Sequence, residues 1–92
     1  VSDLHSAPIV SGLGYAVEDV AGTPPRSFED FRGEVSFSVR AGEHAHDVVG
    51  IGEASGEGAT VHEKMGGPGG KDVRTWRITR ADGGFVAEHV LH

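Results

Sequence analysis

Six histidines fall within 92 residues, and His44-Ala45-His46-Asp47 is the group whose spacing points most directly to chemistry. In an extended strand, residues two apart project from the same side about 6.5–7 Å from one another, so two imidazoles can converge on one ion. Imidazole nitrogen suits divalent transition metals, which require further donors to complete their coordination. Glu53 and His62 are the candidates for those places, with Asp47 and His89 as additional ligands or acid–base groups. The metal reading therefore assigns His44, His46, Glu53 and His62, with a divalent transition metal as cofactor. The plainer reading leaves these side chains as exposed strand or turn residues.

A second concentration is basic. Lys71, Arg74, Arg77 and Arg80 supply four of the eight basic residues within ten positions of a chain whose net charge is −6. Such a strip is a candidate binding surface for a carboxylate-bearing ligand or an acidic partner. The alternative is an edge strand protected by charge from pairing with other chains.

Two glycine-rich stretches are poor matches to phosphate or dinucleotide sites. Gly66-Gly67-Pro68-Gly69-Gly70-Lys71 has no Ser or Thr after its lysine and no expected helix behind it, and it reads as a mobile loop. Gly50-Ile51-Gly52 lacks the strand, glycine turn and helix of a dinucleotide fold. Ser, His and Asp all occur, but their order in the sequence sets no nucleophile beside a base.

The elements that must position these residues are strands. The apolar set contains twelve Val and three Ile against three Leu. Branched Cβ atoms suit pleated ribbons, and the 15 glycines punctuate them with turns. Leu13, Tyr15 and Val17 alternate with polar or small residues, which predicts a strand over Leu13–Val20. Ala21 to Arg26 is a loop stiffened by Pro24 and Pro25. Ser27 followed by Asp30 resembles a helix start, Phe28 and Phe31 share a face, and Gly33 offers a stop, so one or two helical turns fit there. Glu34–Arg40 is the clearest strand, with Val35, Phe37 and Val39 on one side.

After a turn at Ala41-Gly42-Glu43 the chain returns to Gly52. His44, His46 and Val48 lie on one parity and Val49 and Ile51 on the other, and the pattern alone does not choose the inward set. Ala59–Met65 fits a short strand with Ala59 and Val61 inside or the start of a helix, and the strand is preferred. Val73–Arg80, the turn Ala81-Asp82-Gly83-Gly84 and Phe85–Leu91 form a hairpin with an Asp-Gly turn.

These elements predict one β-rich domain over residues 1–92, mainly β or β-rich α+β. The expected architecture is a small antiparallel sheet, barrel or sandwich of about six short strands with at most one short helix. The negative charge makes nucleic acid a poor partner, and no stretch is long and apolar enough for a membrane-spanning helix. The absence of cysteine excludes disulfides and thiolate chemistry. Val1 to His5 has neither the basic start nor the apolar run of a leader, and a start without Met is compatible with a processed chain, so both a cytoplasmic and an exported protein fit.

Two functional classes follow. The first is a non-catalytic binding or assembly module working through a protein partner or a homo-oligomer, with the Gly66–Lys71 loop or a sheet edge in contact. The second is a metal-dependent or small-molecule-binding β-barrel enzyme that uses the His44-x-His46 pair.

Overall fold

The structure is a computed structural model and describes residues 14–20, 22–41, 43–67, 69–81 and 83–90. Six antiparallel strands close into a barrel in chain order: β1 (Gly14–Val20), β2 (Gly33–Ala41), β3 (His44–Ser55), β4 (Gly58–Lys64), β5 (Asp72–Ala81) and β6 (Gly84–Val90). A short 3-10 turn, Phe28–Phe31, lies between β1 and β2. No α-helix occurs among the described residues, and no helix there is long and apolar enough to cross a membrane. Leu13 and Leu91, at the outer ends of two expected strands, lie outside the described residues.

Two-residue connections join Ala41 to His44, Ser55 to Gly58 and Ala81 to Gly84, which are cross-strand partners. The Asp-Gly hairpin anticipated in the sequence is present, with Gly83 at a φ of 75°. At the 3-10 turn, the Asp30 carboxylate accepts the backbone N–H groups of Arg26 and Ser27. Those bonds hold its pKa below the usual aspartate range. β3 runs three residues past the expected end at Gly52, because the chain stays paired to β4 as far as Ser55.

Alternation along each strand decides what enters the barrel. The inner set is Tyr15 and Val17 from β1; Val35, Phe37 and Val39 from β2; His46 and Val48 from β3; Ala59, Val61 and Glu63 from β4; Trp76 and Ile78 from β5; and Phe85 and Ala87 from β6. On β3 the parity left open by the sequence is thus resolved in favour of His46 and Val48. Val49 and Ile51 stay partly exposed, because the next inward positions are Gly50 and Gly52, where other backbone comes too close for a side chain.

A Cβ on Gly52 would stand 1.6 Å from the Phe31 carbonyl oxygen, so glycine is what admits the 3-10 turn against β3. That turn plugs one end of the barrel. Phe31 is fully buried and meets Phe37 and Phe85 edge to face, each at 5.5 Å between ring centroids. Phe28 packs on Phe85, and the Arg80 guanidinium covers both rings at 5.0 and 5.1 Å.

The inner face of β5 traverses the interior in the order Arg74, Trp76, Ile78, Arg80. Arg80 therefore belongs to the aromatic plug, while Arg74 belongs to the opposite mouth.

Candidate functional site

The mouth opposite the plug is polar. Glu63 and His46 are almost fully buried there, an arrangement that costs several kcal/mol per charge unless each is paired and hydrogen-bonded. Glu63 meets that condition. Its Oε1 accepts the Trp76 indole N–H at 2.9 Å and an Arg74 Nη1–H at 3.3 Å, and its Oε2 lies 3.1 Å from His46 Nε2. Arg74 Nη1 is also 2.9 Å from that same imidazole nitrogen.

Burial pushes the Glu63 carboxyl up, but the hydrogen bonds from His46 and Trp76 and the charges of His46 and Arg74 outweigh it. The net pKa lies below the usual glutamate range. Trp76 ties the group together, with its ring 6.0 Å from His46, 5.6 Å from His89 and 6.1 Å from Tyr15.

Access to this cluster comes from a parting of strands. β3 and β4 pair from Ser55/Gly58 to Gly50/Glu63, and β3 then continues back to His44 beside β2 alone. Gly50 is the last β3 residue paired with β4 before the divergence, and the two backbones are so close there that a Cβ would lie 2.1 Å from the His62 carbonyl oxygen. Opposite the gap, β4 leads into Met65-Gly66-Gly67, and a register shift after Glu63 leaves Val73 as an extra residue on β5. Bulges of this kind re-aim side chains at barrel rims.

The result is a cleft of about 560 Å³ lined by Asp47, Val49, Glu63, Lys64, Met65, Gly66, Gly67, Val73 and Arg74. Met65 and Val73, the exposed large hydrophobic residues among those described, both stand in its wall. Lys64 and Asp72 form an ion pair at the rim, and the lysine holds the Asp72 pKa below its usual range. Asp47 accepts from the Ser38 hydroxyl at 2.8 Å. The loop read as mobile is drawn closed at its base, where Met65 N–H donates to the Lys71 carbonyl at 2.8 Å.

The residues singled out in the sequence are distributed differently. Of His46, Glu53 and His62, only His46 points into the barrel. Glu53 is exposed, and His62 sits half-buried on the outer wall with its Nδ1 3.5 Å from the Thr75 hydroxyl. The side chain of His44 lies outside the described residues. No group of three or more His, Asp or Glu side chains among the described residues is placed to hold a metal ion.

Lys71, Arg74, Arg77 and Arg80 do not form one strip either. Arg74 is in the polar mouth, Arg80 is on the plug, Arg77 is exposed on the outer wall opposite Glu88, and Lys71 is exposed beyond β5. The edge-strand reading of β5 is corrected as well, because the closed barrel pairs it on both sides.

Glu63 is the site residue that the sequence reading missed. Its signal was parity with Ala59 and Val61, the same signal that aligns Arg74 with Trp76 and His89 with Ala87.

No protein-family model, curated protein or solved structure matches the chain.

Proposed function

We propose that this barrel is a binding module for a small, largely apolar molecule, held in the cleft between β3 and the β4–β5 loop with its polar end toward Arg74. The observation that supports this most strongly is a buried Glu63–His46–Arg74 cluster, two of whose members, Glu63 and Arg74, line a cleft together with Val49, Met65 and Val73. Replacing a buried ionic group with apolar residues commonly leaves stability unchanged or improved, so such a cluster at an open mouth is poorly explained by folding alone. The cleft also has the size and makeup of a ligand site, with apolar walls and a few convergent polar groups.

The single tryptophan lies beneath the cleft and provides a reporter. Titration with octan-1-ol is expected to change Trp76 fluorescence saturably and to shift amide resonances of residues 47–49, 63–67 and 73–74 together. Val73→Asp is expected to weaken that binding at least tenfold. Absence of saturable binding, or an unchanged affinity in the variant, would sink the assignment.

A second reading is assembly with a protein partner or another copy of the chain, favoured by the exposure of Met65 and Val73 side by side. The magnitude places it second, since a standard interface buries about 800 Å² per partner and two apolar side chains fall far short. Sedimentation of the same samples separates the two readings.

A further inference from the structure

Both contacts of the Arg74 guanidinium are made by one nitrogen. Nη1 donates to Glu63 Oε1 at 3.3 Å and lies 2.9 Å from His46 Nε2, whereas Nε and Nη2 have no partner among the described residues. The side chain keeps 14% of its surface exposed and lines the cleft, so its remaining N–H groups are open to whatever fills that space. A guanidinium donates and never accepts. A purely hydrocarbon ligand would cover these groups and leave them unpaired, at the cost of their hydration.

Resting on the binding reading above, we infer that the ligand is a small neutral carbonyl compound, a ketone or an ester. Its oxygen accepts from Arg74 while its hydrocarbon part lies against Val49, Met65 and Val73.

Charge excludes the ionised heads. Each cation at the cleft is already matched, Arg74 by Glu63 and Lys64 by Asp72. Asp47 accepts from the Ser38 hydroxyl but has no cation partner among the described residues. Three carboxylates therefore stand against two cations, on a chain whose net charge is −6. A carboxylate or phosphate head would add to that excess after losing its own hydration. An ammonium head would answer Asp47 only at the exposed rim, where ion pairs are weak, and would set its N–H groups against those of Arg74.

A carbonyl oxygen brings no charge, offers two lone pairs and carries no proton that needs an acceptor. The last property separates it from a hydroxyl, since carboxylate oxygens nearby are already turned to Trp76, His46 and Ser38. A hydrogen bond from a charged donor is about twice as strong as one between neutral groups, so one oxygen is enough to orient an otherwise apolar molecule.

NMR titrations at pH 7 and low ionic strength test the inference with octan-1-ol, octanoate, 2-octanone and 2-methyl-1-octene, the hydrocarbon isostere in which a methylene group replaces the ketone oxygen. Burial alone favours the isostere, which is the more apolar. The ketone is nevertheless expected to bind about tenfold more tightly than the isostere, and about tenfold more tightly than octanoate. Asp47→Asn should narrow the gap between 2-octanone and octanoate about threefold, because it removes the unmatched charge. Arg74→Met should weaken 2-octanone to the level of the isostere.

If Arg74→Met fails to fold, the order of ketone and isostere on the unaltered protein decides the matter. The guanidinium proton resonances of Arg74 decide it with them, and should shift with 2-octanone more than with the isostere. Equal or tighter binding of the isostere overturns the carbonyl contact. Equal or tighter binding of octanoate, or an unchanged gap in Asp47→Asn, overturns the exclusion of charged heads. In either case saturable binding of octan-1-ol leaves the apolar cleft standing, whereas failure of all the probes to bind overturns the cleft assignment itself.

Discussion

Truncating Trp76 to alanine is expected to lower the free energy of unfolding by about 3–5 kcal/mol, the upper part of the range for core substitutions. The indole is fully buried midway along β5 and touches three other rings. Alanine would leave a cavity that six hydrogen-bonded strands cannot collapse to fill. It also strips Glu63 Oε1 of its shortest hydrogen bond, so a desolvation penalty adds to the lost packing. Chemical denaturation measures the difference. A loss under about 1 kcal/mol would mean that the ring does not hold the two ends of the interior together.

The second large effect belongs to Glu63. Glu63→Ala is expected to cost about 3–5 kcal/mol, because it leaves Arg74 and His46 facing each other in a nearly closed space without their counter-charge. Glu63→Gln keeps the shape and isolates the ionisation. The folded state holds this carboxyl below the usual glutamate range, so the ionised form stabilises the fold at every pH above the unfolded value of about 4.3. That contribution fades as pH falls through the lower, folded value.

Denaturation midpoints between pH 6 and pH 3 should therefore fall more steeply for the unaltered protein than for Glu63→Gln. Asp30 and Asp72, whose pKa values are also lowered, supply the slope that remains in the variant. Parallel curves would contradict the account of Glu63 as a held carboxylate.

The sequence made the ribbons easy to see and the ring they form harder. β2 and the β5–β6 hairpin were legible because alternation and the Asp-Gly turn are local. The inward side of β3 was not, since Val49 and Ile51 compete with Val48 on apolar content. It is decided by Gly50 and Gly52, which give way to backbone from β4 and from the 3-10 turn. Those approaches are tertiary, and no window of sequence contains them.

The polar mouth was half-visible. Parity already placed Glu63 with Ala59 and Val61, and Arg74 with Trp76, but a charged residue at an inward position is read as surface unless its partner is known. That partner, His46, comes from β3, seventeen residues away in the chain and beyond the last β3–β4 ladder pair. The arginine spacing carried its own warning: positions three apart fall on alternate faces of a strand, so Arg77 could never share a side with Arg74 and Arg80.

Among the described residues, the ring of strands is fastened by its shortest ladder. Tyr15 and Ala87 meet there, flanked by Gly14/Glu88 and Ala16/Val86, whereas β2 and β3 zip together over nine pairs. Neighbouring strands elsewhere follow one another along the chain, but this fastening joins its two extremities and bears the greatest loop-closure entropy. The cylinder should therefore unroll from that line first, with amide protons of residues 14–16 exchanging with solvent well ahead of those in β2, and uniform exchange would show that it comes apart all at once.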